Sequence, residues 1–578
     1  MYRYARTAAG RTCGILACVS FCASFVSTAF AQDAGSLLRE QQRQEQRQTP
    51  LRLPEAERPA AAPVLPPAEG EETVLVRTLR FAGKTELLPE AERARIAAAV
   101  IGKRLGIAGL RALADEVTAA LQRQGRLLAH AVLPPQDVTD GTVTIEIVEG
   151  SLERIELHRD AGVRAAESRL RALLGTPLTP SKDELEEALL RLNDHPGVTA
   201  RARLAPGAAP GTSRLVVDVT QAPRFDAHLL ANNFGSSATG REQAGAVMPL
   251  TDLTGYGDLM RLSGVFSEGQ RYSSITGSLP LGASGVVASA SYGYLDYRNV
   301  DSTGRLLGLE GHAHYVSGGL DYAVVRSRQQ NVRIGAEFQW KALIDDSDLG
   351  RLQNKRVRSL TLKASGDVRN LFFGTSITDW SLGWSFGELD LSRVPAALAA
   401  DRAGLRTHGH FQRVSVGASH LQQLSGAWSL YGRVEGQWAD RNLDSSEQFT
   451  LGGPYGVRGW PVGEARGDLG VLGSLELRYD TAAPAGWGSL QYAAFLDGGH
   501  IRLNKDSNGI DPLNACDCNQ YALGSAGVAL RWSAQRFYLA ATYAHRIGGN
   551  GGRSALTGEN VDGKKRKDQF WVHGVVRF

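Results

Sequence analysis

From about Pro223 to the end of the chain no 3.6-residue period survives, yet apolar residues recur at every second position. Val286 to Tyr294, Val332 to Trp340, Gln412 to Ser419 and Tyr538 to Tyr543 alternate apolar with polar or small residues. Loops rich in Gly, Asp, Asn and Ser separate these segments. Alternation places one residue class on each face of a strand. Segments of about ten such residues are the pattern of an outer-membrane barrel, weak singly and strong when repeated. About 16 candidate strands fit the region at ~22 residues per strand plus loop, which suits a closed antiparallel barrel. After the N-terminus no run of 18 apolar residues offers a transmembrane helix. With a mean hydropathy of −0.21, membrane residence has to come from the strands.

The first 31 residues read as a signal peptide. Arg3, Arg6 and Arg11 form a basic region, Ile15 to Val26 an apolar one, and Ala29-Phe30-Ala31 a small-x-small cleavage site. Ile15-Leu16-Ala17-Cys18 imitates a lipidation motif, but the apolar run before it is too short. Processing removes three arginines and no acid, leaving 61 cations against 60 carboxylates, a net +1. That balance excludes nucleic acid as an expected partner. Three of the five cysteines leave with the signal peptide. Cys516 and Cys518 remain in a polar loop, either paired or free, and two cysteines make no zinc site.

Residues 32–49 contain a stretch of helix formers with Ser36 as a candidate N-cap. Beyond Leu37 and Leu38 it has no apolar face, so it stays solvated, bridges other elements or is a disordered tail. Residues 50–72 form a proline-rich, semi-rigid linker that spans ~60 Å when extended. Two α/β units follow, over 73–150 and 151–221, each in the order β-α-α-β-β. In the first, Val74 to Phe81, Leu127 to Leu133 and Val143 to Val148 read as strands, with helices over Pro89 to Ile101 and Leu110 to Gln124. In the second, strands cover Leu152 to His158, Val198 to Leu204 and Leu215 to Val219, and helices Glu167 to Leu174 and Lys182 to Leu192. A repeat of this kind outranks any single motif.

The repeat order resembles POTRA domains, the periplasmic modules of outer-membrane assembly and secretion proteins. Leu133-Pro134-Pro135-Gln136-Asp137 with Ile147-Val148-Glu149-Gly150 resembles the end of the first POTRA domain of two-partner secretion transporters. Leu192-Asn193-Asp194-His195-Pro196-Gly197-Val198 resembles the hinge in their second. Within 222–578, the loop Gly452-Gly453-Pro454-Tyr455-Gly456-Val457-Arg458-Gly459-Trp460 and the strand Phe495-Leu496-Asp497-Gly498-Gly499 resemble the barrel motifs of the same family. The loop from Asp444 to Gly470 follows the eleventh expected strand, and Leu490 to Leu496 is the thirteenth. A charged pair in a barrel lumen has to be satisfied there, and such pairs mark function. Arginine suits the role because its fork grips a carboxylate with two hydrogen bonds. The loop glycines are expected to supply turns at positive φ. Trp460 stands where the family more often has Tyr, which leaves the hydroxyl's hydrogen bond in question.

The resemblance implies a plug helix over 32–49 and a lumen gate formed by Gly456, Val457, Arg458, Gly459 and Trp460. It implies a wall motif of Phe495, Asp497 and Gly499. POTRA positions Pro134, Gln136, Glu149, Gly150, Asn193, Pro196 and Gly197 carry over, and terminal Phe578 becomes the signal read by barrel-assembly machinery. The implied protein is a monomeric outer-membrane transporter, with POTRA domains in the periplasm, that secretes a large adhesin or haemolysin-type exoprotein docked on those domains. Periplasmic chaperones and outer-membrane lipids are the other expected partners. The alternative is a factor that inserts other barrels.

No catalytic constellation is present, so no enzyme activity, cofactor or metal is expected. His312 with His314 and His408 with His410 are i, i+2 pairs on one face of a strand, but no third ligand is in sight. Gly282-Ala283-Ser284-Gly285 lacks the strand-to-helix context of a nucleophile elbow. Lys564-Lys565-Arg566-Lys567 falls in the last hairpin, as a solvated outer loop.

Overall fold

The computed structural model describes residues 32–47 and 73–578, apart from 176–179, 210–211, 510–511 and 513. The signal peptide and the proline-rich linker lie outside the described residues. Helix α1 (Ala34–Gln46) comes first. Its N-cap is Asp33 rather than Ser36, which sits at N3 and completes a reciprocal capping box.

The first α/β unit contains β1 (Val74–Leu75), β2 (Thr78–Gly83), α2 (Glu90–Val100), β3 (Arg104–Leu105), α3 (Ile107–Arg123), β4 (His130–Val132) and β5 (Thr142–Val148). The expected strand from Val74 to Phe81 is broken in two. Val76 turns inward and bonds to Lys103 and Gly102, so the chain pairs first with β3 and then with β5. Leu110, Leu113, Val117 and Leu121 of α3 recur at helical spacing and pack on Val143, Ile145 and Ile147. The second unit contains β6 (Ser151–Arg159), α4 (Glu167–Leu174), α5 (Lys182–Asn193), β7 (Val198–Pro206) and β8 (Thr212–Gln221). Both sheets place the first strand parallel to the last, with the remaining strand antiparallel at the other edge. The sequence repeat is therefore a repeat of topology.

The next eleven strands are β9 (His228–Asn232), β10 (Gln243–Thr251), β11 (Leu259–Phe266), β12 (Gln270–Pro280), β13 (Val286–Arg298), β14 (Glu310–Arg326), β15 (Gln330–Ser347), β16 (Gly350–Arg369), β17 (Ser376–Asp390), β18 (Gly409–Ser425) and β19 (Trp428–Ala439). A long loop then carries the two-residue strands β20 (Phe449–Thr450) and β21 (Arg466–Gly467). The last five are β22 (Leu469–Ala482), β23 (Ser489–Arg502), β24 (Gln520–Ser533), β25 (Phe537–Ile547) and β26 (Asp568–Arg577). All but β20 and β21 join in one closed antiparallel barrel of sixteen strands, with β26 returning to β9. Closure leaves no unpaired edge in the sheet, which a bilayer demands. Leu262, Leu320, Phe338, Leu360, Leu382 and Val416 stand exposed on the outer wall, whereas Lys341, Asp345, Glu476 and Asp497 are buried inside.

The second α/β unit is fastened to the near rim of the barrel. Arg326 grips Asp194 with two bonds of 2.6 and 2.7 Å, and Arg328 N donates to Glu186 at 3.1 Å. Arg169 donates to the Pro280 carbonyl at 3.0 Å. His195 is buried at this junction; its Nδ1 donates to the Pro196 carbonyl at 3.0 Å, and among the described residues Nε2 has no partner. Gly257 lies so close that a Cβ there would sit 2.7 Å from the ring. Gly197, at φ +82°, gives way in turn to Asp252.

Burial pushes the His195 imidazole below its usual range; the Pro196 carbonyl opposes this and Arg169 adds to it. The folded protein thus binds the His195 proton less tightly than the unfolded chain. The junction is firmest above the unfolded pKa of about 6.5 and loosens as pH falls through it. Hydrogen exchange corrected for intrinsic rates should rise over 193–198 and 252–258 between about pH 8 and about pH 5.5. In His195→Gln that pH dependence should vanish; equal pH dependence in both proteins would remove His195 from the account.

Candidate functional site in the barrel lumen

Strand register builds the wall of the site. Ser474 of β22, Asp497 of β23 and Ser525 of β24 form one cross-strand row, and Glu476, Phe495 and Gly527 form an adjacent row. Phe495, Asp497 and Gly499 alternate along β23 and so share its inward face. The long loop after β19, the eleventh barrel strand, folds back over this wall. Arg458 closes on Asp497 through Nε at 2.9 Å, Nη2 at 2.6 Å and its own backbone N–H at 3.1 Å. Its Nη1 reaches Glu476 at 2.6 Å, Nη2 also reaches Ser474 at 3.0 Å, and the guanidinium lies 3.4 Å from the centre of the Phe495 ring. Asp497 accepts further bonds from Ser474 and Ser525 at 2.8 and 3.1 Å. Arg478 and Arg531 complete the shell around Glu476 at 2.8 and 3.1 Å.

The loop glycines act by close approach more than by positive φ. Of the glycines in this loop only Gly453 and Gly463 lie at positive φ, where Ala465 joins them. At Gly456 a Cβ would fall 1.7 Å from the Leu451 carbonyl oxygen, and at Gly459 it would fall 2.7 Å from Ser525. Val457 and Trp460 are fully buried against Leu451, Leu472, Ile501 and Leu523. Trp460 makes a polar contact of its own: Nε1 donates to the Gly524 carbonyl at 3.0 Å, and Arg546 lies over its ring at 5.1 Å. Gly499 leaves the space that Leu451 of the loop fills.

Helix α1 lies in the same lumen. Leu37 and Leu38 pack on Tyr272, Leu295, Tyr297, Tyr315, Leu343 and Phe411 of the wall. At its N-terminus Asp33 accepts Ser36 N–H at 2.9 Å, Lys355 Nζ at 2.7 Å and Ser445 Oγ at 2.7 Å. Lys355 also donates to Asp444 at 2.8 Å, and Ala34 N donates to Asp345 at 2.8 Å. Farther along, Glu45 accepts Tyr272 and Ser274 at 2.9 and 2.7 Å, and Arg47 pairs with Glu435. Arg43 donates to the Thr450 and Tyr455 carbonyls of the long loop at 3.1 and 2.9 Å, so helix and loop brace each other. Two lumen spaces of about 820 and 810 Å³ remain, one beside Arg433, Arg458 and Arg478, the other beside Arg39, Arg43 and Lys363.

Glu476, Ser474, Ser525 and Arg531 escape a reading by motif. Their signal is positional: Ser474, Glu476 and Arg478 alternate on one strand, with polar groups on what a lipid-facing pattern leaves as the inner face. Trp571 is a further omission, donating to the Arg458 carbonyl at 2.8 Å.

The α/β motif residues stand away from the lumen. Gln136 spans the backbone of Thr144 at 2.6 and 2.7 Å and donates to the Pro134 carbonyl at 3.3 Å. Glu149 lies 3.8 Å from Lys84, and Gly150 gives way to the Leu128 carbonyl. Asn193 clamps Ala200 through both N–H and C=O at 2.9 and 3.0 Å, and the chain then turns at Pro196 and Gly197. Phe578 is exposed at the near rim, its N–H on Ala227. His312 and His314 lie tilted against Tyr294 on the outer wall, whereas His408 lies in a loop and His410 on β18. Cys516 and Cys518 form a disulfide. Among the described residues no group of three His, Cys, Asp or Glu is placed to hold a metal.

Residues 211–530 match the family described as haemolysin secretion/activation protein ShlB/FhaC/HecB, and residues 74–150 match the POTRA domain of ShlB type. The chain is 28% identical over 500 residues to the heme/hemopexin transporter protein HuxB of Haemophilus influenzae strain 86-028NP, covering 84% of each. It is 25% identical over 493 residues to the outer membrane transporter CdiB of Dickeya dadantii, covering 80% of this chain and 81% of that one. Its fold is similar to that of CdiB from Escherichia coli, with a TM-score of 0.62 at 20% identity over 95% of this chain and 99% of the other. BamA from Haemophilus ducreyi lacking POTRA domains 1–3 gives 0.54 at 15% identity, over 87% and 100%.

Arg458→Ala leaves two buried carboxylates short of a partner, a loss of about 3–5 kcal/mol for a broken buried pair. In gels that separate folded from heat-unfolded barrel, its unfolding temperature should drop, with Arg458→Lys between it and the parent because an ammonium lacks the two-pronged grip. Equal unfolding temperatures in all three proteins would contradict this. Lys355→Ala uncouples Asp33 from Asp444, so in planar bilayers the purified protein should open more often; unchanged conductance would show that the helix is held elsewhere.

Proposed function

The chain belongs to the haemolysin secretion/activation family ShlB/FhaC/HecB, and from that premise we propose how its lumen carries a partner protein outward. It is an outer-membrane transporter of the two-partner secretion type, with its α/β units, the first of them a POTRA domain, in the periplasm. The family's members are transporters rather than enzymes. On our reading the cargo is one large exoprotein of the adhesin or haemolysin class.

The observation that carries the mechanism is the character of the lumen filling. A helix and a loop occupy a polar interior and are held there by hydrogen bonds and ion pairs to the wall. Both are single segments tethered to the wall's own chain, so they can be displaced without breaking the sheet. The unfolded exoprotein docks in the periplasm on exposed sheet edges, of which β2 and β4 border the first sheet and β6 and β7 the second. Helix α1 then leaves the lumen, Arg458 releases Asp497, and the cargo threads through. No P-loop is present in the chain. Folding of the exported segments outside the cell therefore drives the process. Phe578 serves the barrel-assembly machinery during biogenesis, after chaperones have carried the chain across the periplasm, and the finished transporter works as a monomer.

The fold likeness to BamA keeps a second reading in view, a factor that inserts other barrels. Helix α1 inside the lumen favours export, since it closes the path that cargo would take. Deleting the gene decides between the two. Export predicts the loss of one large protein from the cell surface or medium, with other outer-membrane proteins at normal levels. A general fall in outer-membrane proteins would establish the assembly factor instead.

A further inference from the structure

The outer wall carries a feature that export does not use. Cross-strand register aligns Val316, Trp340, Arg358, Glu388 and His410 in one row around β14 to β18. The next row toward the near rim is Gly318, Phe338, Leu360, Phe386 and Gln412. The wall thus changes from apolar to charged within a single step along the strands. Phe338, Leu360 and Phe386 are 50, 44 and 36% exposed, as lipid-facing residues are. Over them lies a groove of about 420 Å³, bounded toward the far rim by Arg358, Glu388 and His410.

Arg356 stands one step above Arg358 on β16, its guanidinium 5.8 Å from the centre of the Trp340 ring. It donates to Asn354 and to the Lys355 carbonyl at 2.7 and 3.0 Å. Asp390 faces Arg356 across the strands. Two acidic groups border the groove. Glu388 faces Arg358 across the strands, and Asp440 already accepts the Gln412 N–H at 2.8 Å. The far rim bounds the outer leaflet, since the near rim carries the periplasmic units.

We propose that this groove is a binding site for the phosphorylated, acylated glycolipid of the outer leaflet. One acyl chain lies over Phe338, Leu360 and Phe386, and a headgroup phosphate is held by Arg356 and Arg358. The arginine stems run along apolar wall and present their heads at headgroup depth. Guanidinium groups take phosphate through paired charge-assisted hydrogen bonds, and basic clusters at a membrane boundary recognise anionic headgroups. Trp340 supplies the aromatic ring that favours this interface. Glu388 and Asp390, which face the two arginines, oppose the phosphate and so limit its affinity.

The test uses the full-length protein, delipidated in detergent and titrated with purified lipopolysaccharide while bound lipid is counted by native mass spectrometry. Each variant is first checked for a heat-modifiable barrel. The parent should retain one glycolipid, and R356S/R358S should need at least about tenfold more for the same occupancy, as expected for lost charged hydrogen bonds. L360W, which fills the groove and leaves both arginines in place, should also weaken retention, and E388Q should strengthen it. Enzymatic removal of the lipid's phosphates should lower its binding to the parent to the level of R356S/R358S. The triple variant K565S/R566S/K567S, which removes exposed charge from the last outer loop, should bind as the parent does. Equal retention by R356S/R358S, equal binding of the phosphate-free lipid, or an equal loss in the loop variant would overturn the site.

Discussion

A closed sheet of sixteen strands solves the backbone's hydrogen-bonding problem in a bilayer and creates another inside. Its interior is too wide for the wall's own side chains to fill, and the inward positions are polar because the outward ones face lipid. Buried charges such as Glu476, Asp497, Lys341 and Lys355 are costly unless paired. The rest of the molecule follows from who supplies the partners. Arg458 comes from a loop that folds inward, and Asp33 from a helix that precedes both α/β units. The fillings are thus more than obstructions, because without them the wall itself would be left with unpaired charge. A polypeptide in transit has to meet the same demand, which suits a hydrated, polar chain better than a folded one.

The elements that read easily from the sequence are those whose apolar pattern is complete. Helix α4 falls at Glu167–Leu174 as expected, because Leu170 and Leu174 both face the core and Gly175 stops it in the left-handed region. Barrel strands read too short, most of them at their far ends. The alternation of Val332 to Trp340 fades after Trp340, yet β15 continues to Ser347. There the inward residues are Lys341, Leu343 and Asp345, the two charges find their partners elsewhere in the chain, and the hydrogen-bonded ladder runs on past a register shift between Asp345 and Asp346. The sixteen-strand count and the placement of Arg458 after strand eleven and Asp497 on strand thirteen survive this shortening, since both depend on how many strands exist and not on their ends.

Errors at the site have a common cause. Glycine spacing alone cannot distinguish a turn from a crowded contact, so Gly456 and Gly459 read as turns at positive φ when the neighbouring Leu451 and Ser525 set the constraint. Ser36 reads as a cap because it opens the run of helix formers, whereas Asp33 caps the helix by accepting the Ser36 N–H and is itself held by contacts with Lys355 and Ser445. Both contacts cross more than 300 residues of chain, beyond the reach of any local pattern. Trp460 donates its indole N–H to the Gly524 carbonyl, a bond that only the packing reveals.

Asp33 serves two structures at once. Its carboxylate caps the first turn of α1 and also anchors that turn to Lys355 and Ser445 at the far rim. Drawing the helix toward the periplasm separates Asp33 from Lys355 and Ser445 but leaves its bond to Ser36 intact, so the segment travels as a preformed, capped rod. Unwinding it from the far end breaks the cap first and frees the same carboxylate to remain with the wall. The two routes therefore differ in what they leave behind: Lys355 held by Asp444 alone in one case, and by both Asp444 and Asp33 in the other.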